Sequence, residues 1–217
     1  AALYRKSEVN FTPNEQIDFE DKGIRLCADQ LLRLRSAQPF SLFFSSGTLI
    51  DAAPWLQALG EVSLPERTRA DLGKILWGEG NIERVITTDS VGAFAELLLE
   101  SGSLLVWAPP SASLALQQVV AALPPNVLWS HLTALDPAGV DRVQALAQRL
   151  GRPASWWLPR DLAPIKEAYA APLQDARPWE PSRIPRPLRA LCGDLVESNC
   201  GLSAEVCALA SGWHAIG

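Results

Sequence analysis

Two aspartates stand out by where they fall in the chain. Asp89 closes the apolar run Arg84-Val-Ile-Thr-Thr88, and Asp136 opens Asp136-Pro-Ala-Gly139, just after Asn126-Val-Leu-Trp-Ser-His-Leu-Thr133. Carboxylates brought to one edge can hold a hard divalent cation such as Mg²⁺, which takes oxygen ligands and stabilises the attacking or leaving oxygens of a phosphodiester. Asp141, about one helical turn beyond, is a third candidate ligand; it reads equally as a solvent-facing acid at a helix start, where its charge favours the dipole. Proline in the first helical turn fixes φ and lacks an N–H that would go unpaired there, while Gly139 lets the turn approach its neighbours closely. The Asp-Pro pair also reads as an N-cap, with the carboxylate accepting from free backbone donors.

The elements that must position these acids follow from hydrophobic patterning. Four short apolar runs, 84–88, 103–107, 126–133 and 154–158, are bounded by Gly, Pro, Ser or Asp and read as strands. Between them Leu116, Val119, Val120 and Leu123 repeat at helical spacing, as do Val140, Val143, Leu146 and Leu150. Strands apolar on both faces, alternating with amphipathic helices, predict an α/β fold: a mainly parallel sheet of about four strands with helices on both faces. Chemistry in such a sheet sits at the carboxyl ends of the strands, where Asp89 and Asp136 fall.

Around this core, at 81–170, residues 1–80 read as a mainly helical region. Its signals are Thr12-Pro13-Asn14-Glu15, the stripe Ile24, Cys27, Leu31 and Leu34, a stretch from Leu49 to Leu59, and Leu72, Ile75 and Leu76. Residues 171–187 carry five prolines and read as an extended connector, and 188–217 as C-terminal helices broken near Asn199 to Gly201. Gly78-Glu-Gly80 precedes a strand instead of linking one to a helix, the wrong context for a phosphate cradle. No phosphate-binding loop with Gly-Lys-Ser/Thr, serine nucleophile elbow or His-Glu-x-x-His pair occurs.

The chain has 217 residues, 48% hydrophobic and 20% charged, which excludes a disordered polymer. A net charge of −5 argues against broad adhesion to nucleic acid or acidic membranes, so a DNA contact would be focal. Arg183, Arg186 and Arg189, with Arg177 nearby, form such a focus, or the solvated face of the connector. The four cysteines show no paired spacing and read as small core residues of a cytoplasmic protein. No run reaches the ~18 apolar residues of a membrane span, and the first residues carry no signal-peptide core. His131, inside an apolar strand beside Trp129, reads as a core histidine.

Thr88-Asp-Ser-Val-Gly-Ala-Phe94 and Leu135-Asp-Pro-Ala-Gly139, in this order of elements, resemble the TOPRIM domain found in the A subunit of topoisomerase VI and in the nuclease subunit of Wadjet-type anti-plasmid systems. In that family the first strand ends in a glutamate and a later one in D-x-D-P-x-G or D-x-D-x-x-G. Here the glutamate position holds Asp89 and the second aspartate position Asp136, while the first aspartate position holds Ala134. The resemblance spans roughly residues 84–158. It implies a subunit of a bacterial DNA-processing or plasmid-defence complex that binds DNA and cleaves it with Mg²⁺ held by Asp89 and Asp136. It further implies a homodimer partnered by SMC-like ATPase subunits. Ala134 removes one ligand and Asp89 shortens another, which opens the alternative of a non-catalytic interaction or scaffold module on the same sheet. A small-molecule α/β enzyme using the same edge is the third reading, disfavoured by the lack of a cofactor fingerprint.

Overall fold

The computed structural model describes residues 31–65, 71–77, 82–107, 116, 119–120, 124, 126–173, 177–209 and the backbone of 213–216. The four predicted runs are strands: β6 (Arg84–Thr88), β7 (Ser103–Trp107), β8 (Leu128–Leu132) and β9 (Trp156–Pro159). They lie side by side in the order β7-β6-β8-β9, each pair parallel. Val85, Ile86, Thr87 and Thr88 are all buried. Since successive strand residues point to opposite faces, both faces of the sheet here are covered. Fully burying one such Ile or Val is worth about 1.5–3 kcal/mol.

The sheet is wider and more mixed than expected. β1 (Leu31–Ser36) joins β7 antiparallel, β4 (Val62–Pro65) joins β1 antiparallel, and β12 (Trp213–Ile216) pairs with the other side of β9, giving seven strands in one mixed sheet among the described residues. Three further strands, β2 (Phe40–Phe44), β3 (Leu49–Asp51) and β5 (Leu72–Trp77), form a separate antiparallel sheet in the order β3-β2-β5.

The expectation of a mainly helical region before the core is therefore corrected over the described part of residues 1–80. Among the described residues between 31 and 77 the one helix is α1 (Ala53–Leu59), within the predicted 49–59 stretch. In β1, Leu32 and Leu34 are buried while the alternating Arg33 and Arg35 face the other side, a period of two. In β5, the register against β2 passes from Phe43↔Lys74 to Phe44↔Leu72, so Gly73 is an unpaired extra residue. That bulge leaves buried Leu72 and Ile75 three apart, which imitates helical spacing. Thr12 to Glu15, Ile24, Cys27 and Gly78 to Gly80 lie outside the described residues.

Further helices among the described residues are α2 (Val91–Glu96), α3 (Pro137–Leu150), α4 (Ala163–Tyr169), α5 (Arg186–Ser198) and α6 (Ala204–Leu209). Leu116, Val119 and Val120 are helical and buried, and α3 buries Val140 and Val143. α2 packs on the sheet face that carries Arg33 and Arg35. Arg33 stacks over the Phe94 ring, its guanidinium carbon 4.7 Å from the centroid, and Arg35 donates to the Phe94 and Ala95 carbonyls at the helix end. The C-terminal part is not purely helical: α5 ends at Asn199 in the left-handed region, φ 49°, and β11 (Cys200–Gly201) pairs with β10 (Ala171–Pro172) before α6 and β12.

The Pro-rich stretch is anchored to the core at two points, while most of its described residues stay exposed. Trp179 and Ile184 are buried, and the Trp179 indole donates to the Cys200 carbonyl at 2.8 Å. Cys192 and Cys207 are buried thiols pushed up by burial to about 11 and about 12, as inert core residues should be, and Cys200 is half-buried. Among the described residues no helix is long and apolar enough to cross a membrane.

Candidate functional site at the carboxyl rim of the parallel strands

β6 and β8 are neighbours, with Thr88 opposite Leu132 in a parallel register, so whatever follows each strand emerges at the same rim. Asp89 follows β6 directly. Its main-chain carbonyl accepts from the Trp107 indole at 3.1 Å, which ties the turn to the end of β7. Its side chain is only 11% exposed and lies 2.6 Å from Nη1 of Arg142, which is 42% exposed. The same Nη1 donates to the Thr133 hydroxyl at 3.0 Å, so the guanidinium bridges the ends of β6 and β8. Burial raises the Asp89 carboxyl above its ordinary pKa and Glu205 pushes the same way, while Arg142 pulls against both. Glu205, on α6, accepts from the Ser90 hydroxyl, and that bond holds its own carboxyl below the usual range. Ser90 in turn caps α2, its oxygen accepting from the Ala93 amide at 2.9 Å.

Asp136 reaches the rim by a different route. It is the N-cap of α3, extended at φ −145° and ψ 173°, and its Oδ1 accepts from the Gly139 amide at 2.6 Å. The capping role is thus realised. Gly139 is required there, because a methyl group at that position would overlap the Ala134 carbonyl oxygen. The preceding residue is clamped: Leu135 and Leu202 exchange main-chain bonds of 2.8 and 3.2 Å. Gly201 lies against Asp136, a Cβ built on it falling 3.2 Å from the aspartate Cβ.

The other predicted residues, Arg186 excepted, have partners of their own. Asp141 binds Arg177 at 2.6 Å and Arg183 at 3.3 Å, and raises the Arg177 guanidinium through that hydrogen bond. These residues line a shallow depression with Pro137, Val140 and Trp179. Arg189 donates to the Ile184 carbonyl at 3.0 Å. Arg186 is exposed and has no partner among the described residues. The three arginines singled out by sequence therefore do three different things and do not converge. Among the described residues no group of three or more His, Cys, Asp or Glu side chains gathers where it could hold a metal ion.

One buried polar cluster lies on the sheet face behind the rim. The Trp129 indole donates to Thr87 Oγ1 at 3.0 Å, and His131 Nδ1 lies 2.8 Å from the same oxygen. His131 Nε2 is buried and has no partner among the described residues. Desolvation, with the charge of Arg142, lowers the imidazole to about 3, so it is neutral at physiological pH.

Sequence reasoning missed Arg142 and Glu205. Arg142 sits between the buried Val140 and Val143, where it looks like an ordinary polar helix position. Glu205 comes from the last helix, and no spacing rule links it to a strand end more than a hundred residues earlier. No protein-family model matches the chain, and no curated protein matches it.

Proposed function

We propose that this chain is a TOPRIM-like subunit of a bacterial DNA-processing or plasmid-defence complex whose part is to hold DNA and not to cut it. The observations that carry this reading are the pairing of Asp89 with Arg142 at the carboxyl rim and the use of Asp136 as a helix cap. A ligand site at that rim is what a parallel sheet supports best.

The donor set does not fit a resident Mg²⁺ ion. Such an ion needs octahedral oxygen ligands, and protein sites usually supply one or two free carboxylates. Asp89 already faces a guanidinium, which brings positive charge to the spot where the ion would sit. Asp136 has one oxygen on the Gly139 amide, Ala134 offers no carboxylate, and Asp141 is engaged by two arginines. A homodimer and SMC-like ATPase partners belong to the same reading and are tested with it by co-purification.

Anisotropy of a labelled duplex and nicking of supercoiled plasmid, each with Mg²⁺ or Mn²⁺, test the reading. Retention that weakens steeply with salt, with no nicking above the level of Asp89→Ala and Asp136→Ala variants, is expected. Nicking that both substitutions abolish would restore the metal-dependent nuclease. A scaffold that binds protein alone is the second reading, favoured by the net charge of −5, and absence of DNA retention at low salt would select it.

A further inference from the structure

We propose that Arg142 serves at this rim as a built-in cation, taking a phosphate group directly and making its recognition independent of divalent metal; the DNA-specific part of this rests on the function proposed above. Three observations converge on it. The guanidinium is held from both sides of the strand ends, by the buried carboxylate of Asp89 at 2.6 Å and the Thr133 hydroxyl at 3.0 Å, so its position is set before any ligand arrives. Both bonds use Nη1. Nε and Nη2 have no partner among the described residues, and the side chain is 42% exposed, so one edge of the planar fork remains open. That edge carries the parallel pair of N–H donors that matches two oxygens of one phosphate.

The location adds the third argument. The pair stands where β6 and β8 both end, at the rim where open parallel sheets take their ligands. Asp89 is a counter-charge there, and it limits how strongly the guanidinium attracts an anion. Its removal should therefore strengthen phosphate binding, whereas a pair serving only to hold the turn would show no such gain. Asp89→Asn leaves no buried charge behind, because the arginine stays half in water. Arg142→Gln alone would strand a buried carboxylate, so the arginine is best removed in the double variant Asp89→Asn with Arg142→Gln.

The test measures anisotropy of a fluorescein-labelled duplex in EDTA and in Mg²⁺, alongside thermal melting with pyrophosphate, for wild type, Asp89→Asn and the double variant. Far-UV circular dichroism confirms that each variant folds. The expected result is wild-type DNA binding in EDTA at least as tight as in Mg²⁺, tighter binding by Asp89→Asn, and binding weaker by about tenfold or more in the double variant. The double variant should also lose about one unit of salt slope. DNA binding that appears only with Mg²⁺ or Mn²⁺ would overturn the inference and leave the DNA reading standing. Cation-independent binding that is equally tight in Asp89→Asn and in the double variant would do the same. If no DNA is bound but pyrophosphate raises the midpoint of wild type and not of the double variant, the DNA reading fails and the phosphate site stands. Should pyrophosphate act on neither, both fall.

Discussion

Replacing His131 by glutamine should remove much of the acid sensitivity of this fold. The imidazole is fully enclosed, its Nδ1 bonded to Thr87 and its Nε2 without a partner among the described residues, and burial with the nearby Arg142 charge holds it at about 3 instead of about 6.5. The group is depressed in the folded state, so below about pH 6.5 the unfolded chain binds the extra proton and the native one does not. Stability is then lost progressively from about 6.5 down to about 3, and by pH 4 the loss from this one group comes to about 3 kcal/mol. Glu61, Asp194 and Glu205, all held below their ordinary values, also lose stability in acid, but they do so in both proteins and cancel in the comparison. Urea midpoints at pH 7 and pH 4 for wild type and His131→Gln read the difference directly. Glutamine can keep a hydrogen bond to Thr87 and carries no titrating group, so the acid loss should shrink by about 3 kcal/mol. Midpoints that fall in parallel would refute the argument, as would an imidazole proton resonance titrating near 6.5.

Asp89→Asn should be neutral or stabilising at pH 7: the folded carboxyl titrates above its unfolded value, so ionising it costs stability as pH rises through that window. The advantage over wild type should vanish below about pH 4, where both carboxyl states are protonated, and thermal melts across pH check it. Gly139→Ala forces a methyl group onto the Ala134 carbonyl and should cost about 1–3 kcal/mol in urea unfolding, by shifting α3 away from the end of β8. Trp179→Ala empties a buried position and breaks the bond to Cys200, so a loss of about 3–5 kcal/mol is expected, with proteolysis appearing within 171–187. An untouched melting midpoint there would mean that the Pro-rich segment does not contribute to the fold.

What was legible in the sequence follows from what each element must bury. β6 to β9 are enclosed on both faces, so they stand out as short apolar runs with turn residues at their ends. Helix α3 announces itself through Asp136-Pro137 and the Val140, Val143 stripe, and α5 stops at Asn199 as expected. β1 and β5 were misleading for separate reasons. The stripe through Leu31 and Leu34 borrowed one exposed and one buried residue from an alternating strand, and the Gly73 bulge set Leu72 and Ile75 at a helix-like interval. At the site, the rim positions of Asp89 and Asp136 could be read because strand ends are local features. Their partners could not, since the ion pair to Arg142 and the approach of Glu205 depend on how α3 and α6 land on the sheet.

The exchange between Leu135 and Leu202 has a practical corollary for anyone trimming this protein. The peptide groups just ahead of the rim aspartate find their partners in a segment near the far end of the chain, and the α2 and α6 helices are latched by Ser90 and Glu205. A fragment cut after β9 would keep every strand of the parallel core yet release the mouth of the sheet. The smallest piece worth expressing to study that mouth therefore runs through Ile216, which also keeps β12 on the edge of β9.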